Sequence, residues 1–243
     1  MCSIIRLGPI EWSSYFILTL VGIFAAFLYW NVVWDKLKIS FKQFCIMGVF
    51  MVFGLVLGSK ILFVVTKLPD ICKHFSIQYA INSISTAGFV FYGGLFGMLL
   101  GLRAFCNLKN RSYHTTVNLL TPGFPIFHVF GRIGCLLAGC CYGFECSNGI
   151  QMEDGVTRFP IQLVEALGDA LIAFALIKVS NKHKDKLLEI YLVSYAIMRF
   201  ILEFARGDRL RGIWFGLSTS QWISLIIIIV YSIKFYKQFR CSV

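Results

Sequence analysis

The sequence predicts an all-α membrane protein: one polytopic domain over residues 1–243, with seven transmembrane helices, the N-terminus outside and the C-terminus cytoplasmic. Three observations carry that expectation. Hydrophobic residues make up 58% of the chain and charged residues only 14%, against about 25% charged in a typical soluble domain. Apolar runs of about 18–25 residues recur along the whole length, and each can cross a hydrocarbon core. Basic residues are also unevenly shared. With the N-terminus outside, thirteen lie on cytoplasmic segments and seven on outer ones. The positive-inside rule favours that orientation, although Arg206, Arg209 and Arg211 in the last outer loop run against it.

The first span covers 13–33 and the second 44–66, with Gly58-Ser59-Lys60 in its outer half. The third, 87–106, carries Tyr92-Gly93-Gly94 and then Gly97 and Gly101. The last two glycines are four apart, a small-residue face for close helix packing. Gly93-Gly94 is expected instead to open backbone near a ligand. The fourth span, 117–140, contains Pro122 and Pro125, which should kink it. Its outer end reads FGRIGCLLAGCCYG over 130–143, where Gly131 and Gly134 bracket Arg132 and leave room for its side chain or a lipid. An outer loop near 141–159 follows. The fifth span, 160–178, starts beside Arg158 and holds Gln162 and Glu165 at its outer end. In the sixth, 187–205, Arg199, Glu203 and Arg206 are spaced i, i+4 and i+7, on one helix face. The seventh covers 215–233.

Net charge is +11. On a membrane protein this suits contact with anionic lipid. The charge is dispersed over short loops, so nucleic acid is not an expected partner. The N-terminal stretch MCSIIRLGPIEWSS lacks the pattern of a cleaved signal peptide, and Met1-Cys2 has no apolar segment before it to make a lipobox.

Lys60, Arg132 and Arg199 lie within expected spans. A cation there costs roughly 2.5–3.5 kcal/mol on insertion scales, so it should face the bundle interior or water and have a partner. Glu165, Asp169 and Glu203 are the available anions, and structural ion pairing is the simplest use of them. The expected topology, however, gathers polar groups from five spans in the outer half of the membrane. Two arginines around one glutamate on the sixth span leave a positive face suited to phosphate.

Several segments, in order, resemble the prolipoprotein diacylglyceryl transferase family. Gly131-Arg132-Ile133-Gly134, followed by Gly139 and Gly143, is similar to its G-R-I/L-G-N-F-x-N-G-E-x-x-G signature. Tyr92-Gly93-Gly94-Leu95-Phe96-Gly97 resembles its H-G-G-L-x-G, and Gly58-Ser59-Lys60 its G-A-R. Arg158 to Glu165 (RFPIQLVE) resembles its R-H-P-x-Q-L-Y-E; Arg199 to Arg206 (RFILEFAR) resembles its R-F-x-x-E-F-x-R. Ser218 to Gln221 is similar to its S-x-G-Q. The resemblance covers nearly the whole chain. It implies transfer of diacylglyceryl from phosphatidylglycerol to the lipobox cysteine thiol of a prolipoprotein at the outer leaflet, with glycerol phosphate leaving. It implies catalytic roles for Tyr92, Arg132 and Arg199. Substrate-binding roles fall to Lys60, Gly93, Gly94, Gly131, Gly134, Cys135, Gly139, Gln162, Glu165, Glu203 and Arg206. No cofactor and no metal are implied.

The departures from the family pattern concentrate at polar positions. Tyr92 replaces a histidine, Cys135 and Ala138 replace asparagines, Cys140 replaces an acid, and Ser13 replaces a tyrosine. Arginines are kept while groups able to handle the acceptor proton change. Tyr92 could then serve as donor or base, or the chain could be a paralogue with another acceptor, or one that holds lipid without turnover. Cysteines 135, 140, 141 and 146 form C-x4-C-C-x4-C, which does not match C-x2-C zinc spacing. A disulfide from Cys140 or Cys141 to Cys146 is the expectation for that outer loop. A thiol oxidoreductase is the remaining class, but no CxxC pair supports it. His128, four residues before Arg132, is expected to be a packed, hydrogen-bonded histidine.

Overall fold

A computed structural model of the chain describes residues 4–7, 10–74, 91–207 and 213–240. Residues 87–90 of the expected third span, Arg209 and Arg211 of the last outer loop, and Cys2 and Cys241 lie outside the described residues. Helices dominate. In chain order they are α1 (Ser14–Val32), α2 (Trp34–Leu37), α3 (Phe41–His74), α4 (Phe91–Leu108), α5 (Tyr113–Leu120), α6 (Gly123–Leu137), α7 (Ile161–Val179), α8 (Leu187–Leu202) and α9 (Thr219–Arg240). Among the described residues, three small antiparallel hairpins accompany them: β1 (Ile4–Leu7) with β2 (Ile10–Ser13), β3 (Glu145–Gln151) with β4 (Thr157–Arg158), and β5 (Ile213–Trp214) with β6 (Leu217–Ser218).

Among the described residues, α1, residues 41–66 of α3, α4 and residues 219–238 of α9 are each long and apolar enough to cross a membrane. The α5–α6 pair would make a fifth span, bent by 42° at its break. Pro122 lies in that break. It disfavours helical backbone at Thr121, and the chain restarts at Gly123. The carbonyl of Leu120, freed by the break, accepts the indole N–H of Trp30 at 3.0 Å, which satisfies one orphan group of a helix end. The other two expected spans, α7 and α8, are also helices, but they differ from the rest. Glu165, Asp169 and Lys178 interrupt the apolar run of α7, and α8 is only 16 residues long.

The chain divides into two compact units. The first holds α1, α6, α7, α8 and most of α9. Within it α1 packs on α6, α6 on α7, and α7 on α8. The α1–α6 contact is close because two positions lack side chains. A Cβ on Gly22 would meet the Phe127 carbonyl at 2.9 Å, and one on Gly134 would meet the Tyr15 ring at 3.1 Å.

The second unit is built on the α3–α4 pair. Gly54 and Gly58 of α3 face Gly93, Gly97 and Gly101 of α4, so backbone lies directly on backbone. The packing role expected for Gly97 and Gly101 thus extends to Gly93. Its face is not open, since a Cβ there would press on Gly58 and come within 2.7 Å of Leu62 Cβ. Gly94 is less crowded, with Leu55 Cγ at 3.4 Å from such a Cβ. Tyr92 is buried, its ring stacked on Phe96 with centroids 6.2 Å apart. Lys60 belongs to this unit too and is half-buried.

Candidate functional site

Periodicity on three helices of the first unit builds one buried polar layer. His128 and Arg132 are one turn apart on α6, as are Glu165 and Asp169 on α7, and Tyr195 and Arg199 on α8. Residues spaced i, i+4 share a helix face, and in each case that face is turned inward. Arg132 is 5% exposed, Glu165 and Arg199 2%, and Asp169 not at all.

Glu165 is the hub. Its Oε2 lies 2.9 Å from Arg132 Nε, its Oε1 is paired with Arg199 Nη1, and Arg206 Nη1 stands 3.6 Å from the same Oε1. Arg199 also reaches Glu203 through Nη2 at 2.5 Å. Three guanidiniums therefore share two carboxylates at this end of the layer, one positive charge in excess. A turn away, Asp169 Oδ2 lies 2.8 Å from His128 Nδ1. His128 Nε2 accepts from Arg132 Nε at 3.2 Å, which leaves Nδ1 as the nitrogen able to carry a proton toward Asp169. The His128 ring rests against Tyr195, centroids 5.5 Å apart. Charges taken this far from water must be paired, and Glu165, Arg132, Arg199 and His128 each meet at least two other groups of the layer.

The expected single face of Arg199, Glu203 and Arg206 is realised differently. Helix α8 stops at Leu202, a 3-10 turn covers Glu203–Ala205, and Arg206 is extended. Arg206 then bridges to Gly143 as an isolated antiparallel pair. The Phe144 N–H donates to the Ala205 carbonyl at 3.1 Å, and Gly207 N–H to that of Tyr142 at 3.0 Å. These strands of loop border an open cavity of about 370 Å³ lined by Tyr142, Glu145, Arg158 and Arg206 among others. Arg206 thus lines the cavity while its buried side chain reaches Glu165. Arg158 lies over the Tyr142 ring at 4.2 Å, and its Nη2 pairs with Asp154 Oδ2 at 2.7 Å. The hydrogen bond from Arg158 holds the Asp154 carboxyl below the usual carboxylate range.

Helix α6 ends at Leu137, short of the span limit of 140 expected from the sequence. Gly139, at φ +66°, is the left-handed terminal residue. Its N–H donates to the Leu136 carbonyl at 3.1 Å, and the Cys140 N–H to that of Cys135 at 3.0 Å. This paired arrangement is the Schellman cap. Gln162, fully buried, donates from Nε2 to the Cys140 carbonyl at 2.8 Å. Gly131 leaves open space, whereas Gly134 packs on Tyr15. Cys135, Cys140, Cys141 and Cys146 are thiols, so the expected disulfide to Cys146 is not formed. Cys140 and Cys141 turn back toward Cys135 instead, and the three sulfurs lie within 4.8 Å of one another.

Of the residues the sequence singled out, Arg132, Cys135, Gly139, Gln162, Glu165, Arg199, Glu203 and Arg206 come together in the first unit. Lys60, Tyr92, Gly93 and Gly94 belong to the second. His128 is the packed, hydrogen-bonded histidine expected from the sequence, and Asp169, named there as an available anion, pairs with it. Sequence reasoning missed Tyr195, although it is the i, i+4 partner of Arg199.

The family model for prolipoprotein diacylglyceryl transferase matches residues 3–236. A protein of Clostridium perfringens (strain 13 / Type A) named phosphatidylglycerol--prolipoprotein diacylglyceryl transferase 2 is 37% identical over 185 residues, 72% of this chain and 70% of its own. The phosphatidylglycerol--prolipoprotein diacylglyceryl transferase of Clostridium tetani (strain Massachusetts / E88) is 32% identical over 76% of each chain. That of Helicobacter hepaticus (strain ATCC 51449 / 3B1) is 28% identical over 73% of this chain and 67% of its own. With a match that runs almost from end to end, the chain belongs to the prolipoprotein diacylglyceryl transferase family.

Proposed function

We propose that this protein transfers diacylglyceryl from phosphatidylglycerol to the cysteine thiol of a prolipoprotein lipobox, releasing glycerol phosphate at the outer leaflet. The observation that carries the reading is the meeting of Arg132, Arg199 and Arg206 on Glu165 with a positive charge in excess. A phosphodiester monoanion would offset that charge. The arginines would hold the phosphate oxygens by paired N–H contacts and stabilise the charge that develops as the glycerol carbon–oxygen bond breaks. Glu165, Glu203 and Gln162 fix the arginine and loop positions, and the open space at Gly131, beside Arg132, gives the lipid access. The sulfur attacks as thiolate, and Tyr92, standing where the family has histidine, is the donor or base for its proton.

In this reading all seven helical segments span, with the N-terminus outside and the site in the outer half. The charged faces of α7 and α8 can cross because each is paired inside the bundle rather than set against lipid.

The test is glycerol phosphate release by purified protein in phosphatidylglycerol vesicles, with a lipobox peptide or the same peptide carrying serine for cysteine. Release is expected only with the thiol, and is expected to vanish in Arg132→Ala and Arg199→Ala. Phosphatidylglycerol binding without release for any cysteine acceptor would overturn the transfer reading and leave a protein that holds lipid.

A further inference from the structure

The end of α6 makes a second chemical cluster that the transfer reading does not use. A Schellman cap brings the residue three before the helix end against the one just past the left-handed glycine. Here those residues are Cys135 and Cys140, joined by the cap hydrogen bond at 3.0 Å. The next residue, Cys141, sits at φ +59°. Left-handed backbone is unfavourable for a residue with a Cβ and persists where its surroundings hold it. In this conformation its sulfur joins the other two. The C-x4-C-C spacing, which looks wrong for a metal in extended chain, is the spacing the cap converts into contact.

We propose that Cys135, Cys140 and Cys141 form a three-sulfur site for a zinc-class divalent cation, with the fourth coordination position open. All three sulfurs already lie within 4.8 Å of one another. Tetrahedral zinc at about 2.3 Å from each sulfur needs them roughly 3.8 Å apart, a closure that side-chain rotation supplies. Three thiolates and one divalent cation leave a single negative charge. Arg132 acts electrostatically on all three cysteines and Arg206 on Cys141, so the site draws on the same excess positive charge as a bound phosphate. Cys135 is buried, Cys141 half-buried and Cys140 exposed, which gives a fixed base and a route of entry. Gln162 anchors the Cys140 carbonyl from α7 at 2.8 Å and is a positioning residue for the site. Binding exchanges up to three thiol protons for one cation.

The experiment uses the full-length protein in detergent, reduced and freed of metal by a chelator, then titrated with Co²⁺ and with Zn²⁺. One equivalent of Co²⁺ is expected to bring thiolate-to-metal charge transfer and the visible bands of tetrahedral coordination, both abolished by Zn²⁺. Cys140→Ser and Cys135→Ser should lose them, Cys146→Ser should keep them, and Gln162→Ala should weaken binding ~10-fold, as outer partners of metal ligands do. Circular dichroism and gel-filtration profiles matching the parent show that each variant is folded. No tetrahedral spectrum, a spectrum unchanged in folded Cys140→Ser, or uptake of Cu⁺ with no uptake of Zn²⁺ would overturn the site. Glycerol phosphate release is read separately, so a failed metal site and a failed transfer reading give different results.

Discussion

Nε of Arg132 on α6 stands 2.9 Å from Oε2 of Glu165 on α7, and both side chains are almost wholly out of water. The second oxygen of Glu165 serves Arg199 and Arg206. One carboxylate therefore ties α6, α7, α8 and the segment after α8 together, while it aligns the guanidiniums proposed to hold phosphate. Stability and recognition share the same atoms, and that sharing can be tested.

Glu165→Ala should leave Arg132 and Arg206 without the carboxylate they share and Arg199 with Glu203 alone. Removing one partner of a buried pair costs about 3–5 kcal/mol, so unfolding in mixed micelles should shift accordingly. Adding Arg132→Ala in that background should cost less than Arg132→Ala does alone, because the charge it would strand is already gone. A strictly additive double-mutant cycle would show that the pair is not coupled.

Arg199→Lys keeps the charge but loses the fork. Arg199 joins Glu165 through Nη1 and Glu203 through Nη2, and a single ammonium presents no planar pair of donors. Glycerol phosphate release is expected to fall at least ~10-fold, the equivalent of about 1.4 kcal/mol, with unfolding changed far less than by Glu165→Ala. Parent-level release would remove Arg199 from phosphate recognition.

Much of this architecture is legible in the sequence. Apolar length finds the helices, and Pro122 marks the break. Depth along the spans gathers Arg132, Glu165, Arg199 and Glu203 at one level. Two kinds of detail are not legible. Which helix faces meet depends on packing across elements, so the pairing of His128 with Asp169 and the place of Tyr195 beside them emerge only once α6, α7 and α8 are seen together. Local caps also change what a spacing means. The disulfide expected from Cys140 or Cys141 to Cys146 fails because the cap points those residues at Cys135. Likewise Gly93 is used for helix contact, since Gly58 happens to face it.

The loop between β3 and β4 offers a pH test. Asp154 Oδ1 accepts from the Val156 N–H at 3.1 Å and from Arg158 Nη1 at 2.9 Å, and the Arg158 bond lowers its carboxyl below the ordinary range. A depressed folded value means that the contribution is complete above the unfolded aspartate value of about 3.9 and is lost as pH falls through the folded one. Protection of the Val156 amide from hydrogen exchange, corrected for intrinsic rate, should thus be flat from neutral pH down to about 5 and decline only in stronger acid. In Asp154→Asn the acid decline should be absent.

Tyr92→Phe separates the hydroxyl of Tyr92 from its ring. The ring is buried and stacked on Phe96 at 6.2 Å, and phenylalanine keeps that contact and nearly all of the volume. Unfolding should therefore stay close to the parent, with any loss near the ~1 kcal/mol of one hydrogen bond. If the hydroxyl handles the acceptor proton, release should drop ~10²–10⁴-fold, the usual range for a positioned acid or base. The drop should shrink as pH rises and more acceptor thiol ionises unaided, because thiolate needs no base. Tyr92→His, which restores the family residue, should recover release where Tyr92→Phe does not. Equal release from the parent and Tyr92→Phe at every pH would confine Tyr92 to packing in α4.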